Sequence, residues 1–186
     1  MNRPTFHRLA CATSLLGGAL LIAACSTPMR GGHHGGGPMA AAKLEATRGN
    51  SATGMVMFHA MGDHVMLHAK VEGLKPGQEH GFHIHEKGDC SSGDGMSTGG
   101  HFNPTAKPHG APTSAERHAG DLPSLKADAQ GRVDLKAHVM GITIGSGAAD
   151  IVGKGLIVHA MPDDYTTQPT GNSGARVACA VIARHP

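Results

Sequence analysis

The 186-residue chain carries 28 Gly, 15 His, four Phe, one Tyr and no Trp, with a formal net charge of +2. Such a composition suits one turn-rich, all-β domain better than long helices or wholesale disorder. Scattered Lys and Arg without stacking aromatics exclude a nucleic-acid surface, whereas fifteen imidazoles point to metal or proton chemistry.

Arg3 and Arg8 precede a mostly apolar run from Leu9 to Ala24. That run is short for a membrane span and matches a secretory signal, so residues 1–24 are expected to be removed on export. It closes on Leu21-Ile22-Ala23-Ala24-Cys25, similar to a bacterial lipobox, in which Cys25 becomes the lipidated first residue. Residues 26–42 are rich in Gly, Pro and Ala and read as a tether, on which His33 and His34 either collect metal or stay solvated. The folded domain is expected over 43–186. With Cys11 in the signal and Cys25 carrying lipid, Cys90 and Cys179 remain in the domain, and two thiols in an exported protein read as one disulfide.

Period-two alternation dominates the domain. Val56, Phe58 and Ala60 alternate with Met57, His59 and Met61; after Gly62-Asp63, Val65, Leu67, Ala69 and Val71 alternate with Met66, His68 and Lys70. This predicts a β-hairpin. Met57, Met61 and Met66 read either as a soft copper track or as filling of a strand face. Further strands are predicted at Gly81–His85, Val133–Val139, Ile151–His159 and Arg176–Ala183. The intervening segments 86–130 and 160–175 are long for loops in a compact domain, and loops of that length are usually functional.

Gly81-Phe82-His83-Ile84-His85 places two imidazoles two residues apart, hence on one face of a strand. They make half a metal site, and His159 at the end of an apolar strand is a candidate third ligand. In the following loop His101, His109, His118 and Asp121 lie within 21 residues. Three imidazoles and a carboxylate form a plausible tetrahedral zinc set that would order the loop.

The motifs Gly81-Phe82-His83-Ile84-His85-Glu86, His101-Phe102-Asn103-Pro104, His118-Ala119-Gly120-Asp121-Leu122, Val158-His159 with Asp163-Asp164, and Gly171-Asn172-Ser173-Gly174-Ala175-Arg176-Val177-Ala178-Cys179 resemble the bacterial copper/zinc superoxide dismutases. The resemblance covers about Val71 to Ile182 and implies a Greek-key β-barrel or sandwich of about eight antiparallel strands with two long functional loops. It implies copper at His83, His85, His101 and His159, and zinc at His101, His109, His118 and Asp121, with His101 shared. It also implies a Cys90–Cys179 disulfide and a carboxylate, Asp163, linking the ligands of the two metals. Superoxide is the substrate so implied: copper cycles between two oxidation states, His101 carries a proton to the product, and Arg176 draws in the anion. Ala180 departs from the family, which commonly has Gly there.

The expected location is the periplasmic side of a bacterial envelope, with the chain anchored through Cys25 and acting as monomer or homodimer. The competing reading is a non-catalytic copper- and zinc-binding protein for storage or delivery. Loss of Arg3 and Arg8 would leave the mature chain with fourteen basic and fourteen acidic residues. Steering of an anion would then depend on local placement, chiefly Arg176.

Overall fold

The computed structural model describes residues 36–186. The expected signal, Cys25 and the His33-His34 pair lie outside the described residues. Ten strands follow in chain order: β1 (Met39–Ala46), β2 (Thr53–Met61), β3 (His64–Glu72), β4 (Glu79–His80), β5 (Phe82–His85), β6 (Leu125–Lys126), β7 (Val133–Val139), β8 (Gly155–His159), β9 (Arg176–Val181) and β10 (Ala183–His185). A single turn of 3-10 helix, Met96–Thr98, is the only helical element among the described residues.

The predicted hairpin forms as read. Strands β2 and β3 pair from Thr53↔Glu72 to Met61↔His64, and Gly62 between them takes the left-handed conformation (φ 72°) that tight hairpin turns require. Alternation then decides which side is wet. Val56 and Phe58, with Val65, Leu67, Ala69 and Val71, are buried, while the intervening side chains face outward.

The main sheet runs β5-β8-β9-β1-β2-β3-β7, with β10 also paired to β1. All its ladders are antiparallel. Strands β4 and β6, which lead towards the edge strands β5 and β7, pair with each other. The sheet curls around a core that includes Phe58, Leu67, Phe82, Ile84, Leu122, Leu156 and Ile182.

Local structure departs from expectation at the margins. Residues 39–42, expected as the end of the tether, form the first half of β1: Ala40 and Ala42 are buried, and Met39 pairs with both His59 and His185. An Ala-rich alternation has little contrast between faces, so only the neighbouring strands reveal it. The predicted strand beginning at Ile151 starts instead at Gly155, because Gly153 turns the chain with φ 80°. The last predicted strand is split, β9 pairing with β8 and β1 and β10 with β1 alone. Ala180 is buried opposite Leu156, so its methyl is accommodated in the ladder.

Cys90 and Cys179 are joined in a disulfide spanning 89 residues, tying the first long loop to β9. In the chain-entropy description a loop of that size stabilises the fold by about 4 to 5 kcal/mol. Urea titration of metal-free protein with and without reductant should show a loss of that order. A loss below about 1 kcal/mol would mean that other contacts already restrain the loop.

Candidate metal centre

The first long loop folds back along the free edge of β5. Glu86 N–H donates to the Gly100 carbonyl, Phe102 N–H to that of Ile84, and Ile84 N–H to that of Gly120. These bonds set His101 opposite His85 and Asp121 opposite His83. The approach is close enough that a Cβ at Gly120 would collide with the Ile84 carbonyl. On the other side of β5, β8 pairs Phe82 with Val158. The register slips between Val158 and His159 where β8 meets β9, and His159 joins the imidazoles of β5.

Two groups of donor atoms result, each with its members within 4.8 Å of one another: His83, His85, His101 and His159; and His101, His109, His118 and Asp121. All are buried. In the first group His83 Nδ1 and the Nε2 atoms of His85, His101 and His159 have no hydrogen-bond partner. The opposite nitrogen of each ring is occupied. His83 Nε2 is 2.7 Å from Asp163 Oδ2, His85 Nδ1 2.9 Å from the Gly99 carbonyl, His101 Nδ1 2.9 Å from Asp121 Oδ1 and His159 Nδ1 3.3 Å from the Gly174 carbonyl. In His83, His85 and His159 the carbonyl or carboxylate makes its nitrogen the N–H and turns the other lone pair inward, whereas His101 presents one nitrogen to each group. Four such lone pairs left without partners in a dry site are costly unless a cation collects them.

The second group is built on Asp121. Its Oδ1 lies 2.9, 3.1 and 3.3 Å from the Nδ1 atoms of His101, His109 and His118, and His101 Nδ1 is 3.3 Å from that of His118. Four donor atoms crowded on one point, two of them ring nitrogens facing each other, suit a tetrahedral cation better than a hydrogen-bond network. Asp121 Oδ2 accepts backbone N–H groups of Gly110 and His118, which fixes the carboxylate. The residues present therefore fit an imidazole-bound redox metal such as copper in the first group and zinc in the second.

Asp163 joins the two groups. Oδ2 accepts from His83 and Oδ1 from His109, at 2.7 and 2.9 Å, and Oδ1 also accepts the Tyr165 N–H. Gly171 packs so tightly on this carboxylate that any Cβ there would overlap Asp163 Oδ1.

Electrostatics follow from burial. Desolvation holds His85 and His159 well below the usual imidazole range, and it pushes His101 down to about 4 despite Asp121. These rings are neutral at neutral pH, as metal ligands must be. Burial alone would lower His109 too, but Asp121 and Asp163 outweigh it and raise it to about 9. Burial would likewise raise both carboxylates, yet their imidazole contacts hold each well below the ordinary range.

Arg176 borders a cleft of about 280 Å³ that reaches three of the first group, His85, His101 and His159, and is also lined by Met96. Its guanidinium is clamped from the loop: Nη1 donates to the Gly95 carbonyl and Thr98 Oγ1, and Nη2 to the Gly99 carbonyl, at 2.7–2.8 Å. The disulfide anchors that same loop. Thr98 and the Gly95 and Gly99 carbonyls are positioning groups that sequence reading missed, because nothing in a Gly/Ser-rich segment marks one hydroxyl or carbonyl above the next. His80 was also missed; its ring Nδ1 lies 2.8 Å from the His159 carbonyl and steadies that turn.

Comparison with known proteins agrees with this geometry. Residues 52–182 match the family model of copper/zinc superoxide dismutase. Over 120 residues the chain is 42% identical to the superoxide dismutase-like protein YojM of Bacillus subtilis, an alignment covering 62% of this chain and 61% of that protein. It is also 42% identical over 127 residues to the extracellular copper/zinc superoxide dismutase of Drosophila melanogaster, covering 65% of this chain and 68% of that one. A crystal structure of the clock protein EA4 superposes with a TM-score of 0.72 at 37% identity, covering 78% of this chain and 93% of that chain.

Replacement Asp163→Asn keeps the side-chain size but leaves one acceptor oxygen where the wild-type carboxylate offers two, so that either His83 or His109 loses its partner and meets an NH2 donor instead. Zinc affinity in a chelator competition should fall on the order of 10- to 100-fold. Unchanged affinity with native circular dichroism would show that the linkage does not orient the ligands.

Proposed function

Because this chain belongs to the copper/zinc superoxide dismutase family, we propose that it converts superoxide to oxygen and hydrogen peroxide at the His83, His85, His101 and His159 group, as an exported enzyme protecting the cell envelope. The observation that carries this reading is a clamped guanidinium at the cleft lined by His85, His101 and His159, three of the four imidazoles with partnerless nitrogens. A storage protein needs the nitrogens but has no use for the guanidinium.

Copper held by the first group would supply reversible one-electron exchange with superoxide, and zinc in the second a redox-inert charge that orders the loop. The chain's own residues do the rest. His101 has Nε2 in the first group and Nδ1 against Asp121 in the second. Its Nε2 can therefore take up a proton from solvent and pass it to the reduced oxygen species while Nδ1 keeps the ring in place. Arg176 supplies positive charge at the mouth. Its three hydrogen bonds keep the guanidinium from collapsing onto the imidazoles, which leaves room for a diatomic anion.

Export is supported by the Cys90–Cys179 disulfide, since such bonds persist in oxidising compartments. An extracellular relative points the same way. Lipid attachment at Cys25 and a tether upstream of β1, on the periplasmic side of a bacterial envelope, complete the proposal.

The mature protein should contain one copper and one zinc per chain and should consume superoxide in a pulse-radiolysis assay. Both metals bound without activity would favour metal storage or delivery instead. Arg176→Ala should retain both metals but lose about tenfold or more of its second-order rate, together with much of the rate's dependence on ionic strength. Loss of copper from that variant would assign Arg176 a structural part.

A further inference from the structure

Six histidines of the described chain lie outside the metal centre, and five of them, His59, His64, His68, His138 and His185, sit on the outward side of β2, β3, β7 and β10. Met39, Met55, Met57, Met61 and Met66 share that side. The inward residues alternating with them, such as Ala40, Phe58, Val65, Leu67 and Val139, are buried.

The ladders align part of this set into one rung. His185 opposes Met39, Met39 opposes His59, His59 opposes Met66, and Met66 opposes His138. Imidazole and thioether thus alternate across β10, β1, β2, β3 and β7. Directly opposed residues on one face of an antiparallel pair have Cβ atoms about 4.5–5.5 Å apart, so neighbouring side chains in the rung can reach a common ion. Methionine, unbranched and flexible, adapts to such a position.

The centre of the rung is distinguished from the rest of the face. His59 Nε2 is buried and has no hydrogen-bond partner. Gly36 covers it, so closely that a Cβ there would lie 2.8 Å from the nitrogen. The neighbouring histidines are otherwise engaged: His68 contacts Asp134 at 2.6 Å and His64 contacts Asp63 at 2.9 Å. No carboxylate occupies the rung. A neutral donor set of thioether sulfur and imidazole nitrogen discriminates against hard cations and favours monovalent copper.

We propose that His59, with Met39 and Met66 on either side, binds a Cu(I) ion on the outer face of the sheet, and that His138 and His185 extend the donor row at its ends. The site shares no residue with the buried metal centre and does not depend on the catalytic reading. It gives the protein a second copper, held by softer ligands at the surface.

The test uses the full mature chain with the buried centre already loaded with copper and zinc, titrated anaerobically with Cu(I) against a chromogenic Cu(I) chelator. One further equivalent should bind, with sulfur scatterers in its X-ray absorption spectrum. Met39→Leu combined with Met66→Leu should weaken that equivalent on the order of 10- to 100-fold and remove the sulfur signal, leaving superoxide turnover unchanged. His59→Gln should weaken binding similarly from the imidazole side, and circular dichroism should show each variant folded. Absence of a further equivalent, a sulfur-free spectrum, or loss of binding on His33→Gln with His34→Gln but not on the Met replacements would each overturn the proposal.

Discussion

Six imidazoles and two carboxylates lie buried in one region of this small β domain, and the need to satisfy their polar atoms governs the surrounding structure. Each ring has two nitrogens. In His83, His85, His109 and His159 one is met by a carbonyl or by Asp163 and the other points at a shared centre, while His101 presents one to each centre. Burial lowers the proton affinity of His83, His85, His101 and His159, which keeps them available as ligands. It would be a liability without a cation, because unpaired polar groups in a dry interior cost free energy. The long first loop has few large apolar side chains of its own, so its order depends on the polar links that bind it to β5 and to Asp121.

Asp163 makes the two metal groups one unit. It comes from the second long loop and contacts His83 from β5 and His109 from the first loop. The disulfide adds a covalent link between the first loop and β9, the strand that carries Arg176. The guanidinium is then held by carbonyls of the very loop that the disulfide restrains. The guanidinium and the clustered imidazoles thereby depend on the same loop geometry, although they involve different side chains.

The outer face of the sheet follows a different logic. At the buried centre the donors are imidazole and carboxylate on rigid supports. On the outer face they are imidazole and thioether on exposed or half-buried strand positions. The first arrangement suits a tightly held metal, and the second suits a softer ion held near solvent. Both arise from period-two alternation, which puts every second residue of a strand on the same side.

Much of this was legible in the residues. The β2–β3 hairpin follows from alternation around Gly62-Asp63, and the six clustered histidines and Asp121 are carried by compact motifs whose order alone implies a family. Strand β1 was not legible in full, because Ala40 and Ala42 hardly differ in hydrophobicity from Ala41 between them. Nor was the clamp on Arg176, since Thr98 and the Gly95 and Gly99 carbonyls have no distinguishing side-chain pattern. Met57, Met61 and Met66 were visible as a row, but the rung that sets Met66 beside His59 and His138, and Met39 beside His59 and His185, was not, because His138 and His185 stand more than sixty residues away in the chain.

By itself, then, the sequence determined which side of each well-patterned strand is buried and which residue types are available as ligands, since both follow from local chemistry and spacing. Which nitrogen of each ring faces the shared centre, how Asp163 joins the two groups, and which distant strands stand side by side were decided only by the tertiary structure. Those features depend on hydrogen-bond partners and strand neighbours that lie far apart along the chain and meet only when the sheet closes around its core.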